Sequence, residues 1–148
     1  SEKVHFEAPG AERLESEMVR FLKWFDSPPT IDPVLKAGVA HFWFVTIHPF
    51  EDGNGRIARA IGEMALSQSD GTSDRFYSLS SQIEAERTQY YLQLEAAQRG
   101  NLDITQWLKW FLGCLDRAIQ GPERSQPTVN EGGKWKGRNQ RQGVLPMR

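Results

Sequence analysis

Apolar residues recur at helical spacing along most of the chain. Leu14, Met18, Phe21, Leu22 and Phe25 fall three and four positions apart, the period of one helix face. Ser27-Pro28-Pro29 closes that helix, and Asp32-Pro33 opens the next with a capping carboxylate and a proline in the first turn. Val34, Ala37, His41, Phe42 and Val45 mark an apolar helix that ends near Ile47. Residues 56–68 are helical in propensity and pattern, and Ser80 or Ser81 is placed to cap a long helix through Ile83, Arg87, Tyr90, Tyr91 and Leu94, ended by Gly100. Asp103 caps a last helix that buries Trp107, Leu108, Phe111, Leu112, Leu115 and Ile119. Only Val4-His5-Phe6 reads as extended, and three residues make no sheet alone. The expectation is an all-α bundle of at least five helices.

After Ile119 the periodicity stops, and glycine, proline, serine, asparagine and charge take over. Residues 1–120 are therefore read as one domain and 121–148 as a polar linker or tail. The whole chain of 148 residues has a formal charge of −1, but the tail is +4 and the rest −5, counted from the sequence. A solvated linker is the simplest reading of that tail, with nucleic acid or an acidic partner as the alternative. No run approaches the length of a membrane span, no signal-peptide pattern is present, and the single Cys114 can form no internal disulfide. The expected setting is cytoplasmic, with no membrane partner. The strand-like start without a methionine leads to the expectation that upstream sequence has been removed.

One segment differs from the short polar turn that two apolar helices would need. It runs His48-Pro49-Phe50-Glu51-Asp52-Gly53-Asn54-Gly55-Arg56-Ile57-Ala58-Arg59. Gly53-Asn54-Gly55 tolerates left-handed backbone angles and lets successive N–H groups converge as an anion nest. The nest opens into a helix N-terminus, which favours phosphate. Arg56 and Arg59, three apart, share a helix face and can clamp further phosphate oxygens. Asp52 offers hard oxygen to Mg2+, and His48 is the side chain here suited to act as a base near neutral pH. These features describe a metal-bound polyphosphate attacked by a nucleophile that His48 deprotonates. No Walker A loop or dinucleotide-binding glycine pattern is present.

The same twelve residues fit H-x-F-x-[D/E]-G-N-G-R-x-x-R, and on them the chain resembles the Fic (filamentation induced by cAMP) family of the Fic/Doc superfamily. The resemblance extends over roughly residues 3–120, through Ser80–Leu94 and Asp103–Ile119. It implies a Fic-fold helical bundle with a short β-hairpin flap, incomplete at its N-terminus, and a protein adenylyltransferase that moves AMP from ATP to a Ser, Thr or Tyr hydroxyl of a target protein. By the resemblance, His48 is the general base, Phe50 packs into the core and fixes the loop, and Asp52 holds Mg2+. Gly53, Asn54 and Gly55 cradle phosphates, Arg56 grips the β-phosphate region, and Arg59 reaches the γ-phosphate. Tyr91 matches a residue of the adenosine pocket. Gln98 stands where some relatives carry an adenine-contacting asparagine. Val4, His5 and Phe6 would pair with the target as an added strand.

Other residues have plainer expectations. His41 reads as a satisfied core histidine, Glu51 as solvated, and Arg87 as the partner of a bundle carboxylate in preference to a ligand contact. Of the adjacent Tyr90 and Tyr91, one belongs to the core. Relatives are often silenced by an S/T-x-x-x-E-G/N helix whose glutamate pairs with the second arginine. No such motif occurs here, since Glu131-Gly132 has Pro127 four places before the glutamate. The inhibitor is then expected upstream or on a separate antitoxin-like protein, with Arg59 left free. Residues 139–145 resemble the opening of a winged-helix module, and nucleic acid enters as a partner only if such a module follows. A de-AMPylating hydrolase, a transferase of another nucleotide and a non-catalytic nucleotide-sensing module are the alternatives at the same site.

Overall fold

A computed structural model describes residues 9–71, 76–101 and 103–121. Among them are six helices and no strand: α1 (Ala11–Asp26), α2 (Pro33–Ile47), α3 (Asn54–Asp70), α4 (Leu79–Ala85), α5 (Arg87–Gln98) and α6 (Thr105–Gln120). The proposed flap residues Val4, His5 and Phe6 and the tail from 122 onward lie outside the described residues. No described helix is long and apolar enough to cross a membrane.

Helix α2 is apolar nearly all round, as a helix enclosed by others must be. It buries Ala37, Gly38, Ala40, His41, Phe44, Val45 and Ile47. Its start is the expected one: Pro33 sits at the first helical position, and Asp32 Oδ1 accepts from the N–H groups of Val34 and Leu35 at 2.8 and 3.4 Å. Helix α1 packs Phe21 and Phe25 against it. The buried Lys36 ties the two helices together, donating to the carbonyls of Phe25 and Ser27 at 2.7 Å each. An ammonium at the end of α1 also complements that helix's negative pole.

Helix α6 crosses α2 closely at Gly38. A Cβ there would lie 3.0 Å from side-chain atoms of both Leu108 and Phe111, and Trp107 Nε1 donates to the Gly38 carbonyl at 2.9 Å. A Cβ at this position requires the Leu108 and Phe111 side chains to give way by a few tenths of an ångström.

The single long helix expected over residues 80–100 is two helices. Ser78, not Ser80 or Ser81, caps α4, accepting from the Ser81 N–H at 3.1 Å, and Glu63 of α3 accepts from the Ser80 N–H at 2.8 Å. The break falls at Glu86, whose carboxylate accepts from Arg117 Nε and Nη2 on α6 at 2.9 and 2.6 Å and from Gln82 at 2.6 Å. These bonds, Arg117's foremost, hold the Glu86 carboxyl below its ordinary range. Sequence periodicity runs unbroken through this point, so the break is legible only from the partner on α6. The cap position of α6 is Ile104 and not Asp103, but Asp103, one residue earlier, still accepts from the Thr105 N–H at 2.9 Å.

Candidate functional site

The end of α2, the start of α3, and α4–α5 surround an open cavity of about 710 Å³, within the range of small-molecule sites. Its lining includes His48, Asp52, Gly53, Asn54, Gly55, Arg56 and Arg59, together with Tyr91 and Gln98. Nine of the positions singled out in the sequence thus share one wall system.

His48 ends α2 in the left-handed region, φ 52° and ψ 57°, with its N–H still bonded to the Phe44 carbonyl at 3.1 Å. A non-glycine residue there costs about 1–2 kcal/mol, and among the described residues it is the only non-glycine with positive φ. The turn it makes leaves the imidazole exposed at the cavity.

The loop that follows is stapled by Asn54 and not by Phe50's ring. Asn54 is buried, its Oδ1 accepting from the Phe50 N–H at 3.0 Å and its Nδ2 donating to the Phe50 carbonyl at 2.6 Å. Phe50 itself is 51% exposed, which corrects the expectation that it packs into the core. Its ring keeps one contact with the buried Phe44, 6.5 Å between centroids, and its backbone is fastened by Asn54. Because both ends of the Asn54 amide are used in this way, its side chain stabilises the loop. Gly53 takes φ 84° and its N–H donates to Asp52 Oδ1 at 2.7 Å.

What stays open toward the cavity is the first turn of α3. No side chain caps that turn, so its leading N–H groups have no intrahelical acceptor. Gly55 is helical, and a Cβ built on it would meet nothing within 4 Å. Neither backbone nor packing demands glycine at 55; its absent side chain leaves room beside those N–H groups. Arg56, 76% exposed, reaches to 3.9 Å from Asp52, which is 97% exposed. Among the described residues no group of three His, Cys, Asp or Glu could hold a metal. A single exposed carboxylate does suit Mg2+, which binds proteins through one or two carboxylates and completes its shell with phosphates and water.

Arg59 is not free. It is only 19% exposed and lies 3.8 Å from Glu84 of α4, which overturns the expectation drawn from the missing inhibitory motif. Arg87 pairs with a bundle carboxylate as expected, the same Glu84 at 3.5 Å, and it also lines the cavity. Glu84 was missed in the sequence. For Arg87 the sequence left a ligand contact open as the second reading, and Arg87, Tyr91, Leu94 and Gln98 share one helical face.

At the other end Val45, Tyr90, Tyr91, Leu94, Glu95 and Gln98 line the cavity. Of the tyrosine pair, Tyr90 is buried and Tyr91 largely exposed, as the spacing requires. Gln98 Nε2 donates to Thr46 Oγ1 at 3.2 Å, which holds the amide against α2. Behind this wall His41 is fully buried, with Nε2 sharing a 3.0 Å hydrogen bond with the Tyr90 hydroxyl. Burial, aided by the Arg59 charge, pushes its pKa down to about 3. Burial likewise raises the Tyr90 hydroxyl well above its usual value. His41 is thus a core residue, although its Nδ1 has no hydrogen-bond partner.

Comparisons with known proteins fall on the same region. The family model described as the Fic/DOC family matches residues 1–66. Over 113 residues, 75% of this chain, the sequence is 33% identical to the protein adenylyltransferase Fic of Nematostella vectensis, of which it covers 25%. It is 32% identical to the protein adenylyltransferase Fic of Drosophila melanogaster over the same length, 21% of that protein. A crystal structure of a Fic family protein from Desulfovibrio desulfuricans G20 superposes with a TM-score of 0.69 at 27% identity, covering 81% of this chain and 36% of that one. The chain spans a quarter or less of the length of these curated relatives.

Proposed function

We propose that the chain is a Fic/DOC enzyme, as the match of residues 1–66 to that family supports, and that it transfers AMP from ATP to a serine, threonine or tyrosine hydroxyl of a target protein, releasing pyrophosphate. The observation that carries this reading is one cavity that holds an exposed imidazole, an uncapped helix N-terminus and two arginines of the same helix.

The target hydroxyl attacks the α-phosphorus, and its proton passes to His48. A bond forms from the hydroxyl oxygen to that phosphorus, and the bond from phosphorus to the bridging oxygen of the β-phosphate breaks. Pyrophosphate leaves with the bonding pair. The protein's work in such a transfer is positioning and charge stabilisation. The first-turn N–H groups of α3 and Arg56 face the phosphates, Arg59 the terminal one, and Tyr91 and Gln98 the base. Asp52 would hold Mg2+, which when bound neutralises charge on the polyphosphate. Val4, His5 and Phe6 are proposed to align the target strand.

Incubation with ATP labelled at the α-phosphate, Mg2+ and cell lysate tests the reading. Label should enter protein bands with the wild type and not with His48→Ala. Equal labelling by both proteins would overturn it.

A further inference from the structure

Arg59 and Arg87 come from different helices, yet one carboxylate lies between them. Glu84 Oε2 is 3.8 Å from Arg59 Nη1, and Glu84 Oε1 is 3.5 Å from Arg87 Nη1. Each guanidinium takes its own oxygen, and all three side chains line the cavity. The arrangement follows from how α4 is seated. Glu63 accepts from the Ser80 N–H, and Leu79 and Ile83 are buried in the core. That docking brings Glu84, in the last turn of α4, to Arg59 of α3. Arg87 then begins α5, three residues on across the break.

These contacts contrast with those of Glu86, two residues away. Glu86 receives Arg117 at 2.6 and 2.9 Å, the lengths of well-formed charge-assisted hydrogen bonds. Glu84 sits farther from both of its arginines, and the Glu84 and Arg87 side chains are each more than half in solvent. Exposed pairs of this kind are weak. The chain thus holds one carboxylate tightly, where it fastens α6 to the α4–α5 break, and another loosely, where two arginines face an open cavity. Two guanidiniums turned toward one oxyanion group are equally suited to phosphate.

We propose that Arg59 and Arg87 form a single clamp for the terminal phosphates of a nucleoside triphosphate, with Glu84 as its exchangeable internal counter-ion. The clamp rests on the reading of this cavity as a nucleoside triphosphate site, and it adds Arg87 and Glu84 to that site. Arg59 stands one turn along α3 from Gly55, about 6 Å down the axis. A phosphate seated on the first turn of α3 therefore leaves the clamp to the phosphates beyond it. A triphosphate displaces Glu84 from the two arginines and regains their charge in exchange. A monophosphate ends before the clamp and leaves Glu84 in place. Glu84 accordingly lowers affinity for triphosphates alone.

Calorimetric titration with inorganic tripolyphosphate, in the absence of divalent cations, tests the clamp apart from any transfer reaction. AMP is the control ligand, and far-UV circular dichroism checks the fold of each variant. Glu84→Gln should tighten tripolyphosphate binding by about three- to tenfold, and Arg87→Gln should weaken it by a similar factor, the range that exposed charge pairs set. In the double variant the gain from Glu84→Gln should shrink, because one of the two released arginines is gone. AMP affinity should stay the same in all three. Glu95→Gln removes the same charge from the cavity wall two turns along α5 and should alter tripolyphosphate binding less than about twofold.

An unchanged or weaker affinity in Glu84→Gln overturns the clamp, as does an equal gain in Glu95→Gln or for AMP, or no tripolyphosphate binding by either protein. Failure of label transfer with this affinity pattern intact would remove the proposed reaction and leave the clamp. Label transfer without the pattern would do the reverse.

Discussion

The middle of α2 and the junction from α2 into α3 use the same two residue types for opposite purposes. In the middle, His41 is fully buried among Tyr90, Trp107 and Phe111, with ring centroids 5.6, 5.4 and 6.1 Å away. Seven residues later His48 stands exposed at a cavity in a left-handed turn. The glycines divide in the same way. Gly38 is crowded to 3.0 Å by α6, while the space beside Gly55 is empty of the chain's own atoms. In the middle of the helix the protein itself fills every space a side chain leaves. At the junction with α3 it leaves a histidine, the first N–H groups of α3 and a vacant Cβ position facing the same cavity, and in a folded chain such unfilled chemistry is what a ligand can use.

The contrast is broken most directly at the two histidines. His48→Ala should lower AMP transfer by about 10²–10⁴-fold, the usual contribution of a general base. Its unfolding midpoint in urea should correspond to a stability change within about 0.5 kcal/mol, since the ring is exposed. A large stability loss would place His48 with His41 as a structural residue.

His41 should show the reverse, and its signature is pH. Its folded pKa, about 3, lies below the unfolded value of 6.5. Between those values the unfolded chain binds a proton that the folded chain refuses, so stability rises with pH across that window and falls as the solution is acidified. From pH 7 to pH 5 this one group removes about 2 kcal/mol. Urea unfolding at the two pH values should show that loss in the wild type and a much smaller one in His41→Gln. Equal losses in both would mean that other groups carry the acid sensitivity.

The sequence anticipated these two regions unequally. Helix bodies and the 48–59 segment were legible because both are local: a 3.6-residue period marks the first, and residue types at fixed spacing mark the second. The nature of His41 was legible too, since it lies inside an apolar run. What escaped depends on partners distant in sequence. The break between α4 and α5 falls at Glu86, whose carboxylate Arg117 of α6 holds. Glu84 meets Arg59 because α4 docks on α3, and nothing within residues 80–100 announces that pairing. The core position that the family resemblance implies for Phe50 is not seen, its side chain being half exposed, and its backbone is fastened by Asn54.

At Gly38 the packed half of the comparison can be sharpened. Ala adds one methyl group at 3.0 Å from Leu108 and Phe111. Overpacking of this size costs about 1–2 kcal/mol, nearer the low figure if the Leu108 methyl yields. Thermal or urea unfolding should register that loss, with ATP affinity unchanged once the protein is folded. A neutral or stabilising result would show that α6 has slack against α2.

The smallest effect on the fold is expected at Gly55, and there it separates packing from function most cleanly. The residue is helical, and its added Cβ would touch nothing in the chain. Replacing glycine by alanine at such a position removes freedom from the unfolded state, so stability should stay level or rise by up to about 1 kcal/mol. The same methyl group enters the space beside the uncapped first-turn N–H groups, where phosphate is proposed to sit. Gly55→Ala should therefore unfold no earlier than the wild type, yet bind ATP at least about tenfold more weakly in calorimetry, the loss expected when close backbone approach is blocked. Gly53→Ala cannot serve instead, because φ 84° would strain any substitute and confound binding with folding. If Gly55→Ala kept its ATP affinity, the start of α3 would not be the phosphate seat, and its open space would be no more than an unfilled surface.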